Sequence, residues 1–229
     1  MTENNRIIKI GHRGAAGHSP ENTLASFQKA LDLKVDMIEF DLHLCKSGEL
    51  VVMHDEELNR TTNGQGYISQ KTLPELKSLK IDKYHSLPTA EEVLDLINHR
   101  VKVNLELKGA RTAEPSSELV KKYLSQGWQA DDFLVSSFNH DELRQFKSLM
   151  PEIKIGALIK NRNINYGEFD DYPLYSVNIN FKQVNQEFVN QAHQLGLKVF
   201  VYTVDDRQDI LIIQDLGVDG IFSNYPDRL

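Results

Sequence analysis

Two carboxylates stand two residues apart in the run Met37-Ile38-Glu39-Phe40-Asp41-Leu42-His43-Leu44, whose apolar–polar alternation has the period of a β-strand. At that spacing Glu39 and Asp41 project from one face, where they can share a hard divalent cation through oxygen ligands. Either could face solvent in isolation, but a fold that buries this run would leave both as costly unpaired charges. The chain then passes Lys46-Ser47-Gly48-Glu49 into a second apolar run, Leu50-Val51-Val52-Met53, which ends at His54-Asp55. Ser47-Gly48 reads as a two-residue hairpin loop, the glycine accepting a positive φ. Residue 46 then pairs with 49, and Asp41 is expected opposite His54 on the face that carries Glu39. A slip of one residue would turn His54 to the other face. His43 shares that face and is a candidate to support the site.

Gly11-His12-Arg13-Gly14 closes the first apolar run, and the flanking glycines are expected to let the backbone turn there. His12 and His54 can then act as an acid–base pair, because imidazole titrates near neutrality. Arg13 offers a planar fork suited to phosphate oxygens. A third carboxylate comes from Asn104-Leu105-Glu106-Leu107-Lys108, where Glu106 and Lys108 share a strand face. That pair reads either as a buried ion pair or as a metal ligand beside a cation that holds a phosphate. Together these residues suit metal-assisted cleavage of a phosphodiester, one histidine taking the nucleophile's proton and the other protonating the leaving alkoxide. His18, His85 and His140 read as loop or cap residues, and His99 and His193 as helix residues.

The elements that must position these groups alternate along the chain. Strand-like runs cover 7–11, 37–44, 101–107, 133–137, 154–159, 176–181, 197–204 and 218–222. Amphipathic stretches cover 20–33, 90–99, 116–125, 140–149, 185–195 and 207–216, with Thr89 and Glu92 as a capping box for the second. Such alternation implies a parallel sheet, and eight units suggest an α/β TIM (β/α)₈ barrel with a β-hairpin and small insertion after strand 2. A doubly wound open sheet is the alternative. In a barrel the strand carboxyl ends form one mouth, which is where all the candidates lie. Residues 56–88, with turn signals at Asn63-Gly64-Gln65-Gly66 and Pro74, read as an insertion at one rim of a single domain spanning 1–229.

Lys plus Arg is 26 against 33 Asp plus Glu in 229 residues, a formal charge of −7. That balance argues against nucleic acid or an anionic membrane as the main partner and leaves a small molecule. A single cysteine, Cys45, excludes an internal disulfide framework and fits a reducing compartment. The start, Met1 to Arg6, is polar, with no secretory apolar region, and nowhere do 18 apolar residues run together. A soluble, cytoplasmic protein is expected, with no stable membrane insertion. Other enzyme classes fit poorly. A zinc amidohydrolase barrel would show a His-X-His pair on the first strand, and Gly11, Gly14 and Gly17 lack the GxGxxG spacing.

On these residues the chain resembles the glycerophosphodiester phosphodiesterase family, TIM-barrel enzymes of the phosphatidylinositol-phospholipase-C-like type. The resemblance spans almost the full length. It rests on His12-Arg13-Gly14, Pro20-Glu21-Asn22-Thr23, Glu39-Phe40-Asp41 and Val51-Val52-Met53-His54-Asp55, then on Arg60-Thr61-Thr62, Leu105-Glu106-Leu107-Lys108, Ser136-Ser137-Phe138 and Gly217-Val218-Asp219-Gly220-Ile221. It implies His12 as general base, His54 as general acid, and Glu39, Asp41 and Glu106 as ligands of one divalent cation, Mg²⁺ or Ca²⁺. It implies that Arg13 and Lys108 hold phosphate or nearby substrate oxygens, and that glycerophosphodiesters are hydrolysed to glycerol 3-phosphate and an alcohol. The chain departs from the family pattern twice. Tyr202-Thr203-Val204-Asp205 stands where the family often has Trp-Thr-Val-Asn, keeping at Tyr202 an aromatic wall for the substrate. Ser223-Asn224 stands where it often has Thr-Asp, which removes a carboxylate and bears on the alcohol preference. Two alternatives remain: a lipid-directed phosphodiesterase of the same barrel, for which no membrane anchor is evident, and a silent binding module, which would be expected to have lost a histidine or a ligand.

Overall fold

The computed structural model describes residues 6–229, so most of the polar Met1–Arg6 start lies outside the described residues. Eight parallel strands close into a barrel: β1 (Ile8–Gly11), β2 (Met37–Leu44), β4 (Lys102–Leu107), β5 (Phe133–Ser137), β6 (Lys154–Ile159), β7 (Ser176–Asn180), β8 (Lys198–Tyr202) and β9 (Gly220–Ser223). Their order is β1-β9-β8-β7-β6-β5-β4-β2, and pairing of β1 with β2 completes the ring. The short β3 (Leu50–Val52) runs antiparallel to β2. The TIM-barrel reading therefore holds, and the open doubly wound sheet does not.

Strand alternation explains the division of the interior. Ile38, Phe40 and Leu42 of β2 point outward and share a buried cluster with Phe27, Val93 and Leu94 of the surrounding helices. Met37 points inward, joining Ile10, Leu134, Phe200 and Phe222 in a small apolar plug inside the barrel. Above the plug the inward positions turn polar, with Glu39, Asn104, Ser136 and Asn178 all buried. That layer is the floor of the candidate site.

The outer helices are α1 (Leu24–Asp32), α3 (Ala90–Ile97), α4 (Ala113–Ser125), α5 (His140–Leu149), α6 (Gln186–Gln194) and α7 (Arg207–Asp215), with the five-residue α2 (Leu73–Lys77) in the insertion. Thr89 and Glu92 form the expected capping box of α3. α1 begins later than expected, because Thr23 caps it and Pro20-Glu21-Asn22 is spent in the turn before it. α4 begins three residues earlier than expected. Among the described residues only a 3₁₀ turn, Tyr166–Phe169, stands between β6 and β7. No helix of the described residues is long and apolar enough to cross a membrane.

The hairpin register differs from the expectation by one residue. Leu42 pairs with Val52, His43 with Val51 and Leu44 with Leu50, so Asp41 faces Met53 and not His54. The loop is three residues long, not two. The Cys45 amide donates to the Glu49 carbonyl (3.0 Å), and the Gly48 amide donates back to Cys45 (3.1 Å). Gly48, at φ 101°, closes this turn in the left-handed region. Ser47 donates to Glu49 and accepts from the Leu73 amide, which fixes the longer loop. His54 lies beyond the ladder, so the pleat no longer dictates its side, and the chain brings it to the barrel mouth regardless. The insertion packs on this hairpin: Leu58, Ile68, Leu76, Ile81 and Leu87 form a cluster with Cys45, Val51 and Met53.

Candidate active site

The pairing of β2 with β4 sets Asp41 beside Glu106 and Glu39 beside Asn104. All four are inward positions, and Glu39 and Asp41 are each only 1% exposed. One oxygen from each of Glu39, Asp41 and Glu106 lies within 4.8 Å of the others. The Arg13 amide donates to Glu39 Oε2 (2.8 Å), and Asn22 Nδ2 donates to Asp41 Oδ2 (2.8 Å). Glu39 Oε1 and Asp41 Oδ1 accept no hydrogen bond. Buried carboxylate oxygens are normally answered, so these two point to a ligand from outside the chain. An all-oxygen donor set fits a hard cation such as Mg²⁺ or Ca²⁺.

Electrostatics bear the same stamp. Burial, then the charges of Asp41 and Glu106, push the Glu39 carboxyl well up. Burial and Asp41 push Glu106 up to about 7, against the pull of Lys108. Burial also opposes ionisation of Asp41, but Arg13, Lys108, His54 and the Asn22 hydrogen bond together hold it below its usual value. Lys108 Nζ stands 2.9 Å from Glu106 and 3.7 Å from Asp41, so the ion pair that the sequence allowed does form. Arg13 spans the cluster, with Nε 3.5 Å from Asp41 and Nη1 donating to Glu21 (2.9 Å). Three buried acids thus face two cations, leaving room for a further positive charge.

The backbone before this cluster turns at Arg13 (φ 52°) and Gly14 (φ 87°), both left-handed, and not at Gly11. Gly11 is needed for space instead, because a Cβ there would collide with the Gly14 carbonyl. His12 Nδ1 lies 2.8 Å from Asn224 Oδ1. Burial and the Arg13 charge push the His12 imidazole down to about 4. His54 is lowered as well, by burial first, with Asp41 and Asp55 pulling the other way. Its Nδ1 lies 2.6 Å from Asp55 Oδ1. Asp55 accepts from Arg60 Nε (2.5 Å), and Arg60 forks onto both Glu21 oxygens (2.9 and 2.7 Å). A charged chain therefore runs from His54 through Asp55, Arg60 and Glu21 to Arg13.

A cavity of about 250 Å³ is lined by His12, Arg13, Glu39, His54, Glu106, Lys108 and Tyr202, with Phe138 beside them. Asp41 meets the lining residues Arg13, Lys108 and Glu106. All eight residues singled out from the sequence are brought together. The Tyr202 hydroxyl donates to the Ile159 carbonyl (2.8 Å), and its ring meets Phe138 edge to face at 5.9 Å. His43 Nε2 lies 3.1 Å from the His54 carbonyl, which gives it a supporting contact. Roles for Glu21, Asn22, Asp55 and Arg60 were missed, although all four fall inside the sequence motifs. Only Asn22, a residue tolerant of the left-handed conformation and found at φ 57°, carried a local signal.

Comparison with known proteins fits this geometry. Residues 12–228 match the glycerophosphoryl diester phosphodiesterase family. A glycerophosphodiester phosphodiesterase of Bacillus altitudinis is 38% identical, over 96% of this chain and 95% of its own. One of Caldanaerobacter subterraneus is 35% identical, over 98% and 96%. The solved structure of an Oleispira antarctica phosphodiesterase in complex with the product sn-glycerol-3-phosphate superposes with a TM-score of 0.88 at 32% identity, covering 96% of this chain and 93% of that one.

Proposed function

The chain belongs to the glycerophosphoryl diester phosphodiesterase family, and from that premise we propose that it hydrolyses small glycerophosphodiesters to glycerol 3-phosphate and an alcohol, with one divalent cation and a pair of histidines. That it is a glycerophosphodiester phosphodiesterase follows from relatives 35% and 38% identical over nearly the whole chain. The observation that carries the proposal is the buried trio of Glu39, Asp41 and Glu106, with two oxygens unanswered and His12 and His54 on the same cavity.

Glu39, Asp41 and Glu106 hold the cation. When bound, Mg²⁺ or Ca²⁺ supplies Lewis-acid polarisation of the phosphodiester. Arg13 and Lys108 take phosphoryl oxygens and meet the charge that builds on them. His12, kept neutral by burial, accepts the proton of the nucleophile, which is water or the substrate's own glycerol hydroxyl. His54 returns a proton to the leaving alkoxide, and the carboxylate of Asp55 at its Nδ1 works towards the protonated ring against the burial that lowers it. Phe138 and Tyr202 face the alcohol. The chain folds as one domain, with 56–88 as an insertion that carries His54's support. The net charge of −7, with no polybasic stretch, favours soluble diesters over a bilayer and fits a cytoplasmic enzyme.

The test is a panel of glycerophosphodiesters with coupled detection of glycerol 3-phosphate. The protein is first stripped by chelator, then supplied with Mg²⁺, Ca²⁺ or Mn²⁺. Turnover should vanish on stripping and return with the cation. Full turnover of the metal-free protein would remove the cation from the reading.

A further inference from the structure

Behind His12 lies a connection that the reaction as described leaves unused. Asn224 is held to Asp205 twice: its backbone amide donates to Oδ1 (2.8 Å), and its Nδ2 donates to Oδ2 (2.7 Å). Ser223 Oγ donates to the same carboxylate (3.1 Å), and Arg228 donates to the Asp205 backbone carbonyl (2.7 Å). A carboxylate only accepts, so the nitrogen of the Asn224 side chain must face Asp205. Its oxygen therefore faces His12 Nδ1 at 2.8 Å, and that oxygen can only accept. The ring nitrogen at that contact must carry the hydrogen. In the neutral ring this leaves Nε2 as the lone pair.

We propose that Asp205 and Asn224 are positioning residues that lock His12 in its Nδ1–H tautomer, with Nε2 presented as the proton acceptor. This rests on the reading of His12 as base. The three residues follow β8, β9 and β1, which are neighbours in the barrel, so the connection crosses three adjacent strand ends. The His12 amide also donates to the Ser223 carbonyl (3.0 Å), tying the two loops together.

The pair also accounts for one residue in each of the two departures from the family pattern. Asp205 stands in place of Asn and Asn224 in place of Asp, so the carboxylate is moved, not lost. Neither residue lines the cavity. The exchanged carboxylate thereby gains a role at the base. An interposed amide fixes the tautomer without placing a formal negative charge against the ring, unlike Asp55 at His54.

Ring ¹⁵N spectra of histidine-labelled protein test the proposal, with the His12 signals identified by their loss in His12→Ala. Wild type should show His12 protonated at Nδ1 and bare at Nε2. Asn224→Ala and Asp205→Asn should each populate the other tautomer and lower kcat on glycerophosphocholine about tenfold or more, with KM little changed. The reciprocal double variant Asp205→Asn/Asn224→Asp should restore both the tautomer and most of kcat. Should Asn224→Ala fail to fold, the wild-type spectrum and the near-isosteric Asp205→Asn still decide. An Nε2–H tautomer in wild type, or an unchanged tautomer in Asp205→Asn, would overturn the proposal. Full turnover of His12→Ala would instead overturn the reading of the base, whatever the spectra show.

Discussion

The barrel carries a buried carboxylate arrangement at each end, and the two are answered differently. At the amino-terminal end Asp219, just before β9, accepts from Lys198 (2.8 Å), His193 (2.9 Å) and the Val199 amide (2.8 Å). Both of its oxygens are engaged by the chain itself. At the carboxyl end Glu39 and Asp41 are more deeply buried, yet each keeps an oxygen with no hydrogen bond. An acid whose oxygens are all met ties strands together. One left short while buried is arranged for something the chain does not supply.

Four measurements test this contrast. The largest effect is expected at the unanswered end, where Asp41→Asn should lower kcat/KM about 10⁴-fold and abolish cation binding by calorimetry. An Asp41→Asn protein that still turns over at a tenth of the wild-type rate would end the comparison. Next, His12→Ala and His54→Ala should each lose about 10³-fold on glycerophosphocholine, and the double variant should be hardly worse. A nitrophenyl ester needs little protonation of its leaving group, so it should rescue His54→Ala far more than His12→Ala. Rescue in the reverse order would exchange the two roles.

A smaller effect is expected where the mouth is uncharged. Phe138→Ala should change the ratio of kcat/KM between choline and ethanolamine diesters by about tenfold, with little effect on cation affinity. The smallest belongs to the satisfied end. Asp219→Asn should leave turnover unchanged and cost about 1–2 kcal/mol of stability in urea at pH 7. Burial works against ionisation of Asp219, but Lys198, the Val199 amide and His193 hold its carboxyl below the usual range. Its contribution is therefore full above the unfolded value of about 3.9 and fades as pH falls through the native one. The gap between variant and wild type should close on acidification; a gap that widens would show the sign to be wrong.

Much of the site was legible because period-two alternation assigns strand faces without further information. Glu39, Asp41, Glu106 and Lys108 needed only a strand, a direction and the rule that barrel sites form at strand carboxyl ends. The hairpin was less readable. Two-residue and three-residue loops both accept Ser47-Gly48, and the choice rested on the contact of Ser47 with Leu73, remote in sequence. His54 reached the cavity although the inferred register was wrong, because the ladder ends before it. Asp55, Arg60 and Glu21 are joined by contacts spanning up to 39 positions, which no local pattern encodes. The exchange of Asp205 and Asn224 was visible, but its meaning required knowing that both loops meet behind His12.

The insertion brings a small apolar cluster of its own, which meets Cys45, Val51 and Met53, while Leu50 and Val52 of the same hairpin pack with the barrel wall. A segment with its own small core opens as a cooperative unit, at a free energy below that of global unfolding. The proposed proton donor follows a strand with one face on each cluster, so it is anchored to the (β/α)₈ wall as well as to the insertion. Cys45, the chain's one thiol, is 3% exposed within that cluster. Its alkylation must wait for the cluster to open. The labelling rate is accordingly a clock for how often that cluster opens while the barrel keeps its fold.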